Sequence, residues 1–248
     1  VCMIMAAPNG AHKTKRDHPA LPINIAETVA TARACHSAGA DALHLHVRDA
    51  AGQHSLDAGL YQEALAELAA VLPDMPVQVT TEAAGTYEVG AQLGLLRALR
   101  PSWASVALRE LGRDPELARL FYTEAADMGT DLQHIVFDAS DAARLHGLQD
   151  EGVLGQDVSV ILVLGRYTAD ANSDPADLDP LLSALPPVGK WMLCAFGQNE
   201  HRCLLEAADR GGDLRVGFEN SVISPDGAPW SDMAASITAL RKSLRAAA

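Results

Sequence analysis

The sequence predicts a single-domain α/β protein folded as a (β/α)8 TIM barrel over residues 1–248. Three observations support this fold class. Eight short apolar runs alternate strictly with eight helical patterns. The length is close to the roughly 250 residues that such a barrel uses, whereas a doubly wound open sheet usually stops at about five to seven strands. No linker rich in Pro, Gly or Ser and no block of charge divides the chain.

Each predicted strand is an apolar run bounded by turn residues. In chain order the strands are Val1–Ala7, Ala42–Val47, Val77–Thr81, Trp103–Leu108, Gln133–Phe137, Val158–Leu164, Trp191–Phe196 and Leu214–Phe218. Each predicted helix has apolar residues at i, i+3 and i+4 and stops near Pro or Gly. The helices are Ile25–Ser37, Leu60–Leu72, Tyr87–Leu99, Pro115–Asp127, Asp141–Leu148, Ala176–Leu185, Glu200–Asp209 and Asp232–Leu244. Such a barrel carries its active site at the carboxyl ends of the strands.

Composition excludes several classes of function. The chain has 19 Lys and Arg against 32 Asp and Glu, a formal charge of -13, which argues against binding to nucleic acid or to an anionic membrane. The longest apolar run, Val158–Leu164, is too short to span a bilayer. Basic residues follow the apolar start instead of preceding it, the wrong order for a signal peptide. We therefore expect a cytoplasmic protein.

The cysteines and the common catalytic motifs narrow the field further. Cys2, Cys35, Cys194 and Cys203 show no CxxC spacing, so we expect reduced, mostly buried thiols. The sequence contains no P-loop, no dinucleotide fingerprint, no HExxH and no GxSxG. The usual kinase, dehydrogenase, zincin and α/β-hydrolase chemistries are therefore not predicted.

Two histidines at the end of the second predicted strand are candidate metal ligands. His44 and His46 stand two residues apart in the segment HLHVRD, so their side chains point the same way, about 7 Å apart along the strand. Leu43, Leu45 and Val47 then face the helices. Two imidazoles at the mouth of a barrel can share one metal ion. The alternative is that each is a polar strand residue bonded to backbone or water.

A carboxylate at the end of the eighth predicted strand completes this candidate site. Glu219, in the segment RVGFEN, is expected to share a strand face with Arg215 and Gly217. Only the first strand separates it from the histidines, a distance of roughly 10 Å. Two histidines, one carboxylate and an open position are typical of a catalytic zinc site, so we expect one Zn²⁺ per chain. Alternatively, Glu219 caps a helix or pairs with a Lys or Arg.

Arg215 is expected to be a buried cation inside the barrel. Because it precedes Glu219 by four residues, we expect it about 13 Å deeper in the barrel. A buried guanidinium needs an anionic partner. Glu82 and Asp49 are the nearest candidates by strand end, besides the charge of a substrate.

Four segments together resemble the beta-keto acid cleavage enzyme family. They are GAHKTKRDHPALPI after the first strand, HLHVRD at the second, CAFG at the seventh and RVGFEN at the eighth. The resemblance extends from Ala7 to about Asp226. It implies a zinc-dependent TIM-barrel acyltransferase, usually a homotetramer. The implied reaction converts a β-keto acid and acetyl-CoA into acetoacetate and a new acyl-CoA, without a protein nucleophile.

The resemblance also implies roles for particular residues. The implied metal ligands are His44, His46 and Glu219, the catalytic arginine is Arg215, and the substrate-contacting hydroxyl of the third strand is Thr80. Ser105, in the fourth strand, is a further candidate for substrate binding. The loop after the first strand carries three basic residues, Lys13, Lys15 and Arg16. They either contact the CoA phosphates or are solvated loop cations.

Several positions depart from the family pattern. The family has a glutamate at His12 and an aspartate, paired with the arginine, at Asn220. Its third-strand TGG is Thr81-Glu82-Ala83 here, and a fourth-strand hydroxyl near Ala107 is missing. Asn220 occupies a catalytic position but cannot take up a proton. His12 and Glu82 are the candidate replacement bases, with Glu82 also a candidate for substrate binding. His12 is alternatively a fourth metal ligand or a loop residue without a role.

Three functions remain open from the sequence. The first is the zinc-dependent β-keto acid acyltransferase, with an altered substrate. The second is a metal-dependent lyase or hydrolase acting on a small oxo acid without CoA. The third is a barrel that binds a metal but turns nothing over. Dependence on acetyl-CoA separates the first two.

Overall fold

The computed structural model describes residues 2–168 and 171–247, and it contains a closed barrel of eight parallel strands. The strands in chain order are β1 (Ile4–Ala6), β2 (Ala42–Leu45), β3 (Val47–Arg48), β4 (His54–Ser55), β5 (Val77–Thr80), β6 (Trp103–Ala107), β7 (Asp131–Val136), β8 (Ser159–Leu164), β9 (Lys190–Ala195) and β10 (Asp213–Val216). Strand β1 closes the barrel by pairing with both β2 and β10. Strands β3 and β4 form a separate antiparallel pair. The predicted TIM-barrel fold is confirmed.

Helices connect the barrel strands. They are α1 (Ile25–Ser37), α2 (Ala58–Val71), α3 (Val89–Leu99), α4 (Leu108–Leu111), α5 (Pro115–Met128), α6 (Ala139–Asp150), α7 (Leu178–Ala184), α8 (Glu200–Asp209) and α9 (Met233–Ala247), with a short 3-10 helix at Pro175–Asp177. Side-chain caps mark several starts: the carboxylates of Asp57, Asp114 and Asp138 accept backbone N–H groups of the first turns of α2, α5 and α6. None of the helices within the described ranges has the length and apolar character needed to cross a membrane.

The element ends differ from the prediction by a few residues. The first strand begins at Ile4; Val1 lies outside the described residues. Helix α3 begins at Val89 because Tyr87 still lies in a turn, where its N–H donates to the carbonyl of Ala83. The patterns did not predict the β3–β4 pair or the short helix α4, since elements of two to four residues contain less than one full period of apolar spacing.

Two apolar layers hold the barrel together. The outer layer lies between strands and helices and includes Leu43, Leu45 and Val47, as the alternation of the second strand predicts. The inner layer fills the barrel with side chains such as Met5 and Met192. All four cysteines are free thiols, as predicted, and three of them are buried. The packed interior leaves the strand ends as the place where polar side chains can gather.

Candidate metal centre and active site

The two histidines lie where strand β2 leaves the barrel. The strand ends at Leu45 and not at Val47, because Val47 already pairs with β4 in the antiparallel hairpin. The side chains of His44 and His46 still point to the same side. Their Nε2 atoms are 3.1 Å apart, and each residue is only 1% exposed. The imidazoles are therefore close enough to bind one ion together.

Glu219 reaches the same place by a different route from the one predicted. Strand β10 ends at Val216 and not at Phe218, so the expectation that Arg215, Gly217 and Glu219 share one strand face is wrong. Gly217 has φ +147°, and a Cβ there would lie 2.5 Å from the carbonyl oxygen of Ala7, the residue that follows β1. This close approach requires glycine.

A tight turn follows Gly217. The backbone N–H groups of Asn220 and Ser221 both donate to the carbonyl of Gly217, and the N–H of Glu219 donates to the carbonyl of Ala7. The turn aims the Glu219 side chain at the barrel mouth, where it packs against Gly10. Gly10 itself has φ +60°, and a Cβ there would lie 2.5 Å from Cγ of Glu219. Gly217 thus permits the turn, and Gly10 makes room for the carboxylate.

The three side chains form a cluster of ligand atoms. Oε2 of Glu219 is 3.6 Å from Nε2 of His44 and 3.6 Å from Nε2 of His46. One ligand atom from each of the three residues lies within 4.8 Å of the other two. Oε2 is buried and accepts no hydrogen bond from any described group. A buried carboxylate oxygen without a donor, facing two imidazole nitrogens, fits a divalent cation such as zinc.

Protonation favours metal binding by this cluster. Burial, and then the nearby charge of Arg215, lowers the pKa of His44 to about 4. Burial lowers the pKa of His46 as well. Burial alone would raise the pKa of Glu219, but the adjacent positive charge of Arg215 holds it well below its usual range. Two neutral imidazoles and one carboxylate are the protonation states that metal ligation requires.

Arg215 contacts Glu219 directly. Its Nη2 donates to Oε1 of Glu219 at 3.1 Å and to Sγ of Cys194 at 3.1 Å. The expected depth of about 13 Å along the strand assumes a straight strand, and it is wrong because the backbone turns at Gly217. The expected ion pairs with Glu82 or Asp49 are also not formed. Glu82 pairs with Arg166, and Asp49 is an exposed turn residue whose carboxylate accepts backbone N–H groups of its own loop.

A narrow cavity of about 40 Å³ lies beside the cluster. Of the predicted site residues, it is lined by His44, Thr80, Glu82, Arg215 and Glu219. Its remaining wall is mostly apolar and aromatic: Ala107, Ile135, Phe137, Val163, Tyr167 and Phe196, with Arg109, Glu110 and Arg166. Arg166 and Tyr167 also border a larger groove of about 380 Å³ that runs toward helix α7. The narrow cavity and the larger groove therefore adjoin at these two residues.

Glu82 is the carboxylate nearest to the cluster that is not part of it. Its Oε2 lies 3.9 Å from Nε2 of His46, and its side chain is 18% exposed. Arg166 Nη2 donates to its Oε1 at 3.0 Å. His12 lies outside the ligand cluster, at the rim, with 57% of its side chain exposed and Nε2 3.8 Å from Oε1 of Glu82. His54 packs behind His46, with ring centroids 5.3 Å apart.

The chain resembles a known protein family over its whole length. All of it, residues 1–248, matches the beta-keto acid cleavage enzyme family. The chain belongs to that family. The resemblance carried by the four sequence segments is thereby confirmed.

Two relatives are similar over most of their length. The chain is 27% identical over 234 residues to the 3-oxoadipate:acetyl-CoA acetyltransferase of Cupriavidus necator, covering 89% of this chain and 80% of that protein. It is 26% identical over 235 residues to the 3-keto-5-aminohexanoate cleavage enzyme of Acetoanaerobium sticklandii, covering 92% of this chain and 85% of that one.

Solved structures share the fold. The apo structure of ObcA has a TM-score of 0.71 at 15% identity and covers 92% of this chain, which spans only 62% of ObcA. The type I 3-dehydroquinate dehydratase of Clostridium difficile has a TM-score of 0.64 at 11% identity, covering 100% of this chain and 93% of that one. At these identities the likeness concerns the barrel alone.

Asn220, at the position where the family resemblance implies an aspartate, is integrated in a buried polar network. Its Nδ2 donates to the carbonyl of Arg215 at 3.0 Å and to Oε1 of Glu200 at 3.2 Å. Burial raises the pKa of Glu200 to about 8. Lys13 donates to the carbonyl of Glu219 at 2.6 Å. Lys13 therefore stabilises the turn at Glu219. The sequence pattern predicts either contact with CoA phosphates or solvation for this residue, and it does not predict this contact.

The other predicted residues lie apart from the ligand cluster. Ser105 is fully buried in the barrel, aligned with Thr80 on the neighbouring strand, and its hydroxyl has no hydrogen-bond partner among the described residues. It does not line the cavity. Lys15 pairs with Glu27 at 3.0 Å, and Arg16 is exposed.

Sequence reasoning missed several residues that position the site. Arg48 is buried and donates to the carbonyls of Gly10 and Lys13, so it braces the loop after β1. Oε1 of Gln78 lies 2.8 Å from Nδ1 of His44. The signal for Gln78 was present, since a polar residue inside an apolar strand of a barrel needs a partner. Nothing local marks Arg166, which comes from the loop after β8.

Proposed function

We propose that the protein is a divalent-metal-dependent acyltransferase that cleaves a β-keto acid with acetyl-CoA. The observation that carries this proposal is the convergence of His44, His46 and Glu219 at the barrel mouth of a chain in this family. The three residues would hold the ion, for which zinc is the best candidate by donor type. When bound, zinc would supply Lewis acidity to the carbonyl oxygens of the substrate.

The proposed reaction forms one carbon–carbon bond and then breaks another. The carbon between the two carbonyl groups of the β-keto acid loses a proton and bonds to the acetyl carbon of acetyl-CoA, while the CoA thiolate leaves. The thiolate then adds to the original ketone, whose bond to the central carbon breaks. The products are a new acyl-CoA and, after the proton returns, acetoacetate. No side chain needs to act as nucleophile, which agrees with the absence of a nucleophile motif.

Glu82 is the proposed proton acceptor. It lines the cavity, it lies 3.9 Å from His46, and Arg166 holds its carboxylate in place. Asn220 cannot accept a proton in this role. His12, 3.8 Å from Glu82 at the exposed rim, would pass the proton between Glu82 and water.

Arg215 and Thr80 are the proposed substrate contacts. The Nε–H of Arg215 is buried without an acceptor among the described residues, although the side chain lines the cavity. It can therefore donate to an anionic oxygen of a substrate. Thr80 lines the same cavity, and its Oγ1 accepts the N–H of Glu82, which links the substrate wall to the base. Ser105 would act only from beneath this wall, through its unpartnered hydroxyl. We expect a homo-oligomer, as in the family.

The test is a panel of β-keto acids incubated with the zinc-loaded protein, with and without acetyl-CoA. We expect acetoacetate and a new acyl-CoA in equal amounts, only when both substrates are present. Glu82→Gln should slow their formation by about 100-fold or more, whereas Glu88→Gln, at an exposed helix cap, should leave the rate unchanged. Consumption of an oxo acid without acetyl-CoA would instead identify a lyase or hydrolase. Metal binding without turnover of any acid would identify a binding barrel.

A further inference from the structure

A chain of buried hydrogen bonds crosses the barrel interior and ends on His44. Nδ1 of His44 contacts Oε1 of Gln78 at 2.8 Å. Nε2 of Gln78 donates to Oε1 of Gln133 at 3.0 Å, and Nε2 of Gln133 points at Sδ of Met192 at 3.8 Å. The residues lie on β2, β5, β7 and β9, and none is more than 3% exposed. These bonds therefore lie within the interior of the barrel.

The direction of this chain determines which nitrogen of His44 carries the proton. A glutamine amide has one accepting end and one donating end. If Oε1 of Gln78 faces His44, Nδ1 must be the protonated nitrogen and Nε2 keeps its lone pair. If the amide were turned over, Nδ1 would accept and Nε2 would carry the proton. Nε2 is the atom that faces Glu219 and His46, so only the first tautomer can bind a metal there.

Met192 distinguishes the two directions. A thioether sulfur can only accept a hydrogen bond, and weakly. Gln133 therefore directs its NH₂ group toward Met192 and its carbonyl oxygen toward Gln78. That oxygen in turn requires the NH₂ group of Gln78, which leaves the oxygen of Gln78 for His44. With both amides reversed, a carbonyl oxygen would face the sulfur without a donor.

We propose that Gln133 and Met192 are positioning residues that hold His44 in the Nδ1-protonated tautomer, with Nε2 free for the metal. Neither residue is in the ligand cluster or lines the cavity. The inference extends the proposed metal site, but the tautomer of His44 can be measured in the metal-free protein. Failure of the two proposals can therefore be told apart.

The experiment uses ¹⁵N NMR of histidine side chains in the metal-free protein, together with zinc affinity from chelator competition. Gln133→Leu removes the acceptor for Gln78. Met192→Leu keeps the volume of the side chain and removes only the sulfur, so it should fold. Gln133→Glu retains an acceptor facing Gln78. The control is Gln149→Leu, which deletes a buried amide that bonds the carbonyls of Gly155 and Pro187 far from the site.

We expect Gln133→Leu to shift His44 toward the Nε2-protonated tautomer and to weaken zinc binding by about 10- to 100-fold, the usual cost of losing a group that orients a metal ligand. Met192→Leu should do the same to a smaller extent, and Gln133→Glu should keep the wild-type tautomer. Gln149→Leu should change neither reading. The proposal is overturned if His44 stays Nδ1-protonated in both Gln133→Leu and Met192→Leu. If the tautomer shifts but the wild type binds no zinc, only the proposed function fails.

Discussion

Gly10 offers a sharp test of the role of Glu219, because the glycine makes room for that carboxylate. A Cβ at position 10 would lie 2.5 Å from Cγ of Glu219, whereas carbon atoms in ordinary contact are about 3.5 to 4.0 Å apart. In Gly10→Ala the Glu219 side chain must therefore move by about 1 Å. Metal sites tolerate only about 0.2 Å of error in ligand distance. We expect zinc affinity to fall by at least about tenfold.

Backbone strain must be separated from this displacement. Gly10 has φ +60°, where alanine costs roughly 1 to 2 kcal/mol. Gly129 has φ +71° at the end of α5, and a Cβ there would meet nothing within 4 Å. Gly129→Ala is therefore a matched control with similar strain and no contact.

The assay compares melting temperature and zinc affinity in the two variants. Both should melt lower, by about 2 to 4 °C for each kcal/mol in a chain of this size. Only Gly10→Ala should lose affinity for zinc. Equal affinities in the two variants would refute the assignment of Glu219 as a ligand.

Three further predictions concern charge and protonation. Arg215→Met should lower turnover about 100-fold or more while the zinc content stays near that of the wild type, because the bound ion itself keeps Glu219 ionised; a parallel loss of both would make Arg215 structural. Glu82→Gln should lower the rate by about 100-fold or more and His12→Ala by less, with the zinc content unchanged in both. A larger loss in His12→Ala would make His12 the proton acceptor in place of Glu82. Burial lowers the pKa of His134 to about 4. As the pH falls from about 6.5 to 4, this histidine therefore binds a proton in the unfolded chain but stays neutral in the folded one. His134 should therefore lower the free energy of unfolding by up to about 3 kcal/mol over that pH range. His134→Gln should make the free energy of unfolding less dependent on pH, and an unchanged pH dependence would show that this histidine is not responsible.

The sequence carried enough information for the barrel and for the ligand set. The barrel follows from strict alternation of strand and helix patterns, which is a property of the whole chain and survives errors at element ends. His44 and His46 follow from the two-residue period of a strand, which holds locally even though β2 ends one residue earlier than His46. Regular spacing therefore predicted what regular backbone produces.

The immediate surroundings of the ligands could not be predicted in the same way. Arg215 meets Glu219 because the chain turns sharply at Gly217, and a strand extrapolation places them far apart. Arg166 contacts Glu82, and Gln133 contacts Gln78, and in both pairs the two residues are distant in sequence. Contacts of this kind depend on barrel closure and loop geometry, for which a single sequence has no periodic signal.

Zinc content tests the central claim most directly. The wild type, purified without chelators and analysed for metals, should hold about one zinc ion per chain. The variant carrying both His44→Ala and His46→Ala should hold almost none, and its circular dichroism should match that of the wild type because the barrel core does not depend on the cluster. His146→Ala, at an exposed histidine of α6, should keep the full content. Zinc retained by the double variant at the level of His146→Ala would contradict the metal centre and the function built on it.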